Sequence, residues 1–187
     1  MNSGIIASRY ARALLLYTQE TGGGERVCAQ AARLEQALTQ VPELKVLLED
    51  PESVSASRKI EVLETALGGE PMADEMGRFL RLVLQGGRMP LLRLMLHDFI
   101  DQWYQSQHIL RARLKTVTPP GEAILERIRE MVRRRTGCKD VVISTSIDPD
   151  LIGGFVFEME DRTLDASAAR ELRRIRRHFI ENNRRIV

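Results

Sequence analysis

Acidic side chains are concentrated between residues 148 and 165, and clustered carboxylates are the ligands that hard cations such as Ca²⁺ prefer in proteins. The acidic residues of this stretch are Asp148, Asp150, Glu158, Glu160, Asp161 and Asp165. Their spacing does not match that of a calcium-binding loop. Turn and helix-cap positions account for Asp148, Asp150 and Asp165, because short acidic side chains bond the backbone nearby. The sequence therefore predicts structural roles for these carboxylates and no metal site.

Other residue types that could support catalysis or nucleotide binding lack the required spacing. The three histidines are scattered, without the HxxxH pair that a helical zinc site uses. His97, Asp98 and Ser8 contain the groups of a Ser–His–Asp triad, but the sequence does not bring them together. Gly153-Gly154 lacks the spacing of a phosphate-binding loop. No catalytic residue and no cofactor is predicted, so the chain is not expected to be an enzyme.

The most basic stretch is the C-terminal segment 170–185, RELRRIRRHFIENNRR. Nucleic-acid binding uses clustered arginines and, for single strands, aromatic side chains that stack on bases. Phe179 is the single aromatic residue of the segment, and Glu171 and Glu181 dilute its charge. A solvent-exposed helix face or an acidic protein partner is favoured, and no nucleic-acid partner is expected. A basic RNA- or DNA-binding protein and a free-standing helical adaptor remain the alternative functions.

The composition is that of a soluble globular protein, with 43% hydrophobic and 29% charged residues. The two cysteines, Cys28 and Cys138, form no CxxC pair, which favours a reducing compartment. Apolar runs fall far short of the ~20 residues that cross a bilayer. Arg9 and Arg12 interrupt the apolar residues of the N-terminus, so we expect no signal peptide and a cytoplasmic prokaryotic protein.

The two halves of the chain differ in charge. Residues 1–105 carry 11 Lys and Arg against 14 Asp and Glu, a net charge of −3. Residues 106–187 carry 17 against 12, a net charge of +5. This asymmetry predicts two modules with different partners.

Helical periodicity dominates residues 1–105, and glycine or proline interrupts it repeatedly. Helices are predicted over 3–20, over 25–40, between Pro42 and Pro51, after a cap at Ser55 or Ser57, over 72–83, and from Pro90 onward. No alternating strand pattern occurs in this half. We therefore predict an N-terminal six-helix bundle, with five helices of long or medium length and one short helix.

The first helix is apolar on more than one side. Its main stripe contains Ile6, Tyr10, Ala13, Leu14 and Tyr17, while Ile5, Leu15 and Leu16 project away from that stripe. Such a helix is covered by its own domain on one side and by something else on another. Two interpretations stay open: a partner binds this helix, or the rest of the bundle covers it completely.

Residues 106–187 show a mixed pattern. Alternation over 109–115 predicts a half-buried strand with Arg111, Arg113 and Lys115 on its outer face. A helix follows Pro119-Pro120 and ends at Gly137. Its predicted apolar stripe is Ile124, Leu125, Ile128, Met131 and Val132.

The remaining residues predict two further strands and a last helix. The strands span 140–147 and 155–159, joined by an Asp148-Pro149-Asp150 turn, with Gly153-Gly154 permitting close backbone approach. A turn at Asp161-Arg162 precedes a helix that Asp165 caps and that carries Ala168, Leu172, Ile175 and Phe179 on one face. The order strand–helix–strand–strand–helix predicts a small α/β C-terminal domain, so the fold class of the whole chain is α+β.

Three segments carry a family resemblance: RYARALL at 9–15, GGRMPLL at 86–92 and DPDLIGGFVFEMEDRTLDASAARELRRI at 148–175. In this order they resemble the delta subunit of rotary F-type ATP synthases, which is called the oligomycin-sensitivity-conferring protein in mitochondria. Two departures are that Asp165-Ala166-Ser167 stands where many members have D-G-S, and that Thr118-Pro119-Pro120 replaces a segment of small residues.

The resemblance implies a non-catalytic stator subunit of a proton- or sodium-translocating ATP synthase. Its helical domain, residues 1–105, would bind the N-terminal helix of an alpha subunit of the catalytic head. Residues 106–187 would bind the b subunit of the peripheral stalk. The protein would lie on the inner face of the bacterial cell membrane through the complex, without inserting into it.

The resemblance also implies a binding groove between the first helix and the fifth long helix, which begins at Pro90 after the GGR step. Its position and the extra apolar surface of the first helix predict one set of contact residues. That set is Ile6, Tyr10, Ala13 and Tyr17, with Val83 and Leu92 nearby. An amphipathic helix that docks into such a groove is a common mode of recognition.

Overall fold

The computed structural model of the protein describes residues 3–50, 54–159 and 162–174. The chain divides into two compact units, Met1–Ser106 and Gln107–Val187. The described residues of the first unit are helical, and those of the second form a sheet with helices. The architecture is therefore mixed α+β, as the sequence predicts.

Glycine, proline and serine mark the helix boundaries of the first unit. The helices are α1 (Ser3–Thr21), α2 (Gly24–Gln40), α3 (Pro42–Glu49), α4 (Ala56–Ala66), α5 (Asp74–Gln85) and α6 (Leu92–Ser106). Ser55 caps α4, because its hydroxyl accepts a hydrogen bond from the backbone N–H of Arg58 at 3.4 Å. Pro90 lies in a 3₁₀ turn, Met89–Leu91, so α6 begins two residues after the predicted proline start.

The core of the first unit is built on α6, whose Met95, Leu96 and Phe99 are fully buried. Small side chains on α1, including Ala7 and Ala11, let α1 pack closely against α6. The buried residues of α1 are Ala7, Ala11, Leu14, Leu15 and Thr18. Leu15 therefore belongs to the core, which corrects its predicted position away from the main stripe.

Two large apolar side chains of α1 stay half exposed. Ile5 and Leu16 each expose 50% of their surface. The interpretation that the bundle covers this helix completely is therefore wrong for the described residues. An apolar surface on α1 remains available for a partner.

A buried glutamine fixes the start of α5. Gln30 of α2 is 1% exposed, and its Nε2 donates to the carbonyl oxygen of Pro71 at 3.0 Å. Its Oε1 accepts from the backbone N–H of Ala73, the residue before α5, at 2.9 Å. These bonds satisfy backbone groups that the turn leaves unpaired, and they hold α5 in place relative to α2.

The second unit is a four-stranded sheet with the order β2-β1-β3-β4. Its elements are β1 (Ile109–Thr116), α7 (Glu122–Thr136), β2 (Asp140–Ile147), β3 (Gly154–Met159) and β4 (Arg162–Ser167). β1 and β2 are parallel, and α7 forms the connection between them. β3 pairs with β1 and with β4 in antiparallel fashion.

The register separates an apolar face of the sheet from a charged face. Ile128 and Val132 of α7 pack against the cluster that contains Ala112, Val141 and Phe157. On the opposite face, the Lys115 ammonium lies 2.8 Å from the Glu158 carboxylate. The predicted half-buried strand with a basic outer face is confirmed.

Part of the predicted apolar stripe of α7 is wrong. Ile124 and Met131 each expose 55% of their surface, while Val132 exposes 7%. Ile128 and Val132 pack against the sheet cluster, so this side of α7 is the covered one.

The region around Asp165 differs from the prediction. It forms the strand β4, in which Ala166 pairs with Phe155, instead of a helix start. The helical segment 168–174 is capped by Ser167, whose hydroxyl accepts from the backbone N–H of Arg170 at 3.2 Å. Asp165 supports this cap, because it accepts from the Ser167 hydroxyl at 2.6 Å. The ladder with β3 prevails because it satisfies several backbone groups, whereas a cap satisfies one or two.

Some predictions concern residues outside those that the structure describes. These are the carboxylates at residues 160 and 161, of which Asp161 belongs to the predicted Asp161-Arg162 turn, the apolar residues Ile175 and Phe179, and the basic segment beyond residue 174.

Asp165 is expected to make the second unit sensitive to acid. Its pKa is held below the ordinary aspartate value, chiefly because Ser167 donates its hydroxyl and then its backbone N–H to the carboxylate. Such a carboxyl group stabilises the fold above its unfolded pKa of about 3.9, and this stabilisation is lost as the pH falls through the folded pKa. Asp165→Asn should therefore weaken the acid dependence of amide protection at residues 167 and 170, measured by hydrogen exchange below about pH 4. The same acid dependence in the variant would contradict this role.

Candidate protein-binding groove

α5 lies beside α1 in the first unit, and the helix that the prediction counts as the fifth, from Pro90 onward, is α6, which packs against α1 in the core. The Arg78 guanidinium donates to the Tyr17 hydroxyl, and Tyr10 lies beside Gly86. Later residues of α1 therefore meet earlier residues of α5, so the two helices are antiparallel. We call this surface the α1–α5 groove and define it by Ile6, Tyr10, Ala13 and Tyr17 of α1 and by Arg78 and Leu82 of α5.

The α1 side of the groove is the predicted stripe. Ile6, Tyr10, Ala13 and Tyr17 follow the helical repeat, so their side chains lie on one side of α1. Ile6 and the two tyrosines are half-buried, and Ala13 is exposed. The tyrosines lie roughly 10 Å apart along the helix axis. Ala13 lies between them and leaves space for an incoming side chain.

The α5 side contributes Leu82, which the sequence-based set omits. Leu82 exposes 52% of its surface. It lies one turn after Arg78 and one turn before Gly86, which places it opposite Ala13. A signal for it exists in the sequence, because Leu82 lies off the core stripe of Met76, Phe79, Leu80 and Val83.

Val83 and Leu92 do not line the groove surface. Val83 is fully buried and Leu92 exposes 1% of its surface. Both belong to the core of the first unit, so neither presents a surface to a partner. The prediction that Val83 and Leu92 lie on the surface is therefore wrong, whereas Leu82, one residue before Val83 and about 100° around α5, is exposed.

Each tyrosine of the groove is paired with an arginine. The Arg78 guanidinium donates to the Tyr17 hydroxyl at 2.8 Å, and that of Arg88 donates to the Tyr10 hydroxyl at 2.5 Å. The Arg88 Cζ atom lies 5.1 Å from the centre of the Tyr10 ring, within the range of a cation–π contact. The Tyr10 ring also meets Phe79 edge to face, with ring centres 6.5 Å apart.

The GGR sequence at 86–88 explains how Arg88 reaches Tyr10. A Cβ atom at Gly86 would lie 3.2 Å from the Tyr10 hydroxyl oxygen, so glycine leaves room for the ring. Gly87 has a φ of 62°, a backbone conformation that glycine adopts without strain. The chain therefore turns back and brings Arg88 over the ring.

The two ends of the groove differ in charge. Glu75 lies near Arg78, and the pKa of Glu75 is lowered, chiefly by a backbone hydrogen bond and the Thr21 hydroxyl, with Arg26 and Arg78 adding to the effect. Arg88 joins none of the ion pairs found among the described residues. Among the described residues, a carboxylate therefore neighbours the arginine at the Tyr17 end, whereas no ion pair includes the arginine at the Tyr10 end.

The residues considered for catalysis have other partners. The Nδ1 atom of His97 lies 2.8 Å from the Glu35 carboxylate, and Ser8 accepts from Gln102 at 3.4 Å. The backbone N–H of Asp150 donates to Asp148 at 3.1 Å, which confirms the predicted turn role of Asp148. In the ranges that the structure describes, no group of His, Cys, Asp and Glu side chains could hold a metal ion. None of the helices in those ranges is long and apolar enough to cross a bilayer.

A second apolar surface lies on the helix-covered face of the sheet in the second unit. Ile147, Phe155 and Leu164 expose 59%, 37% and 59% of their surfaces. The register puts Ile147 and Phe155 on either side of Thr116, and Leu164 beside Phe157. We call these three residues the sheet-end patch.

Exposed apolar side chains lie beside α1 and α5 of the first unit and on the sheet of the second unit. The family model of the ATP synthase delta (OSCP) subunit matches residues 6–179. The chain belongs to this family.

Similar proteins agree with this assignment. The ATP synthase subunit delta of Phocaeicola vulgatus is 37% identical over 187 residues and that of Bacteroides fragilis is 36% identical over 188 residues, each covering 100% of both chains. A chain of the Toxoplasma gondii mitochondrial ATP synthase hexamer has the same fold, with a TM-score of 0.69, 19% identity, and coverage of 93% of this chain and 97% of that one. This protein is a non-catalytic subunit of the peripheral stalk of the ATP synthase. The nucleic-acid-binding and free-standing adaptor alternatives gain no support.

Proposed function

We propose that this subunit ties the catalytic head of the synthase to the b-subunit stalk through two separate contacts. The first unit, as a six-helix bundle over residues 1–105, binds the N-terminal helix of an alpha subunit in the α1–α5 groove. The second unit, residues 106–187, binds the b subunit. The observation that carries the proposal is the exposed Ala13 between Tyr10 and Tyr17, opposite the exposed Leu82.

The shape of the groove suits an amphipathic helix. Such a helix buries one apolar stripe, and a small residue at the centre of the groove lets the two helices approach closely. Tyr10 and Tyr17 supply large apolar rings with few rotatable bonds, which lose little entropy on binding. Leu82 supplies an apolar contact from the other wall, and its exposed surface would be removed from water.

The mechanical role requires slow dissociation of both contacts. The head is pushed sideways by the turning rotor, and the two contacts lie in series between the head and the stalk. The link fails when either contact opens, so each must hold by itself. Avidity helps only where one assembly presents both binding sites together.

Binding to a trimmed catalytic head tests the alpha contact. A head with intact alpha N-termini should bind the full-length protein with one saturable, tight contact, measured by calorimetry. A head that lacks these residues should lose most of that affinity. Unchanged affinity for the trimmed head would overturn the proposed site on the alpha subunit.

We propose the sheet-end patch as the contact for the b subunit. The end of a stalk helix carries an apolar stripe that can cover Ile147, Phe155 and Leu164. These three side chains lie on one face of the sheet and are substantially exposed. Three exposed apolar side chains on one face of the sheet support a protein contact there.

Leu164→Asp should weaken binding of the soluble b-subunit domain by about 10-fold or more, because a carboxylate replaces an apolar contact. Val142→Asp is the matched control, since Val142 is 42% exposed and lies on the opposite face of the sheet. Equal effects of the two substitutions on affinity, measured by calorimetry, would place the b contact elsewhere.

We also infer that the complex holds the subunit at the inner face of a bacterial cell membrane. Inverted membrane vesicles should retain the protein, and low-salt washing that removes the catalytic head should release part of it. Retention by vesicles that lack the b subunit would contradict this attachment.

A further inference from the structure

Arg88 is a cation at one end of an apolar groove. Its side chain is exposed, and its hydrogen-bond acceptor in the groove is the neutral hydroxyl of Tyr10. A guanidinium has five N–H donors, so most of them remain for another acceptor. The ion pairs found among the described residues do not include Arg88.

We propose that Arg88 binds a carboxylate of the docked alpha-subunit helix and thereby sets the direction in which that helix lies in the groove. This inference rests on the proposed function of the α1–α5 groove. It adds a requirement for the partner: an acidic residue on the helix end that lies beside Tyr10.

Desolvation makes the carboxylate necessary. A helix that covers Tyr10 also covers the guanidinium that lies over the same ring, 5.1 Å from its centre. Removing water from an unpaired charge is costly, and the cost falls when an opposite charge makes direct hydrogen bonds. An arginine and a carboxylate form two parallel hydrogen bonds in a fixed plane, which gives this pair geometric selectivity.

The position of Glu75 favours one direction of the docked alpha-subunit helix in the groove. At the other end of the groove, Glu75 and Arg78 lie three residues apart on α5, so their side chains are neighbours on the helix surface. A second carboxylate placed there would meet Glu75 as well as Arg78. The acidic end of the docked helix is therefore favoured beside Arg88, and the reverse direction brings like charges together.

The site is held in place before a partner arrives. Gly86 leaves space for the Tyr10 hydroxyl, and the backbone N–H of Arg88 donates to the carbonyl oxygen of Val83 at 3.0 Å. The Tyr10 hydroxyl then fixes the guanidinium over the ring. Little side-chain entropy is lost when the carboxylate binds, so the pair contributes more to affinity.

A double-mutant cycle tests the proposal. The probe is the alpha-subunit N-terminal peptide of the same complex, with each Asp and Glu changed in turn to Asn or Gln. One of these changes should weaken binding to the unmodified full-length protein by about 10-fold and binding to Arg88→Met by less than about 2-fold. Arg88→Lys should keep part of this coupling, because it keeps the charge but not the planar fork.

Control variants distinguish loss of carboxylate recognition by Arg88 from loss of the folded structure. Arg81→Met removes the same charge from the side of α5 that meets Gly77 and Met72, and it should leave the coupling unchanged. Trp103, the single tryptophan, reports through its fluorescence whether the first unit stays folded. A spin label beside the coupled carboxylate should broaden the amide signals of Gly86 and Gly87 more than that of Thr21.

The outcomes are distinguishable. If every peptide change has the same effect on both proteins, Arg88 does not read a carboxylate, although the groove can still bind the helix. If the label broadens Thr21 instead, the proposed direction is wrong. If Ala13→Glu leaves peptide affinity unchanged, the proposed groove itself fails, and the Arg88 inference fails with it.

Discussion

Ala13→Glu is expected to reduce binding of the alpha-subunit N-terminal peptide by about 100-fold or more, which removes detectable binding at micromolar concentrations. Ala13 is exposed at the centre of the groove, between Tyr10 and Tyr17 and opposite Leu82. A glutamate there fills the space that the incoming helix needs. It also places a charge in an apolar contact that excludes water. Calorimetry with the full-length protein measures the loss.

The fold should survive this substitution. Glutamate has a helix propensity close to that of alanine, and the side chain at this position points to solvent. Ala32→Glu on α2 is the matched control, because Ala32 is also exposed and the substitution adds the same charge. Both variants should keep the Trp103 fluorescence and the unfolding midpoint of the first unit. Equal peptide affinities for the two variants would show that the groove is not the binding site.

Gly154→Ala is expected to destabilise the second unit by about 3 kcal/mol or more. Gly154 has a φ of 77°, and a Cβ atom there would lie 2.1 Å from the carbonyl oxygen of Ala166. This oxygen belongs to β4, the strand that pairs with Gly154, so the clash cannot be relieved by a rotamer change. The pairing of β3 with β4 must separate locally. Hydrogen exchange should show faster exchange in both strands.

Gly153→Ala is the control, because the neighbouring glycine meets different constraints. A Cβ atom at Gly153 would contact only the Cβ of Ala168, at 3.6 Å, an ordinary van der Waals distance. Gly153→Ala should therefore leave exchange in β3 and β4 nearly unchanged. The first unit should keep its Trp103 signal in both variants. Equal exchange rates in the Gly153 and Gly154 variants would contradict the proposed close approach of the two strands.

Helical periodicity and helix-boundary residues were enough to predict the helices of the first unit. The stripes of α1 to α6 recur with the helical period, and boundaries at Pro42, Ser55 and Gly86 stop or cap the helices. The same holds for β1, whose alternation separates Ala112 and Leu114 from Arg111 and Arg113. These signals depend on neighbours in sequence, so one chain is enough to read them.

The prediction was wrong in three places because contacts between residues distant in sequence decided the burial or the secondary structure there. Leu15 is buried because α1 packs between more than one neighbour, and a single helix pattern does not reveal how wide its covered side is. Ile124 and Met131 are exposed because the sheet covers only one side of α7. Residues 162–167 form β4 because β3 offers a ladder there, and the local cap signal of Asp165 gives way to it.

Residue types and their spacing were enough to predict the family, the helical and mixed character of the two halves, and the proposed α1 contact of Ile6, Tyr10, Ala13 and Tyr17. These features depend on residue type and period. The exposure of Leu82, the burial of Val83 and Leu92, and the position of Arg88 over Tyr10 follow from the tertiary packing. A rotation of about 100° separates Leu82 from Val83 on α5. The packing of α5 against α1 decides which of the two faces the groove, and that packing is a property of the whole bundle.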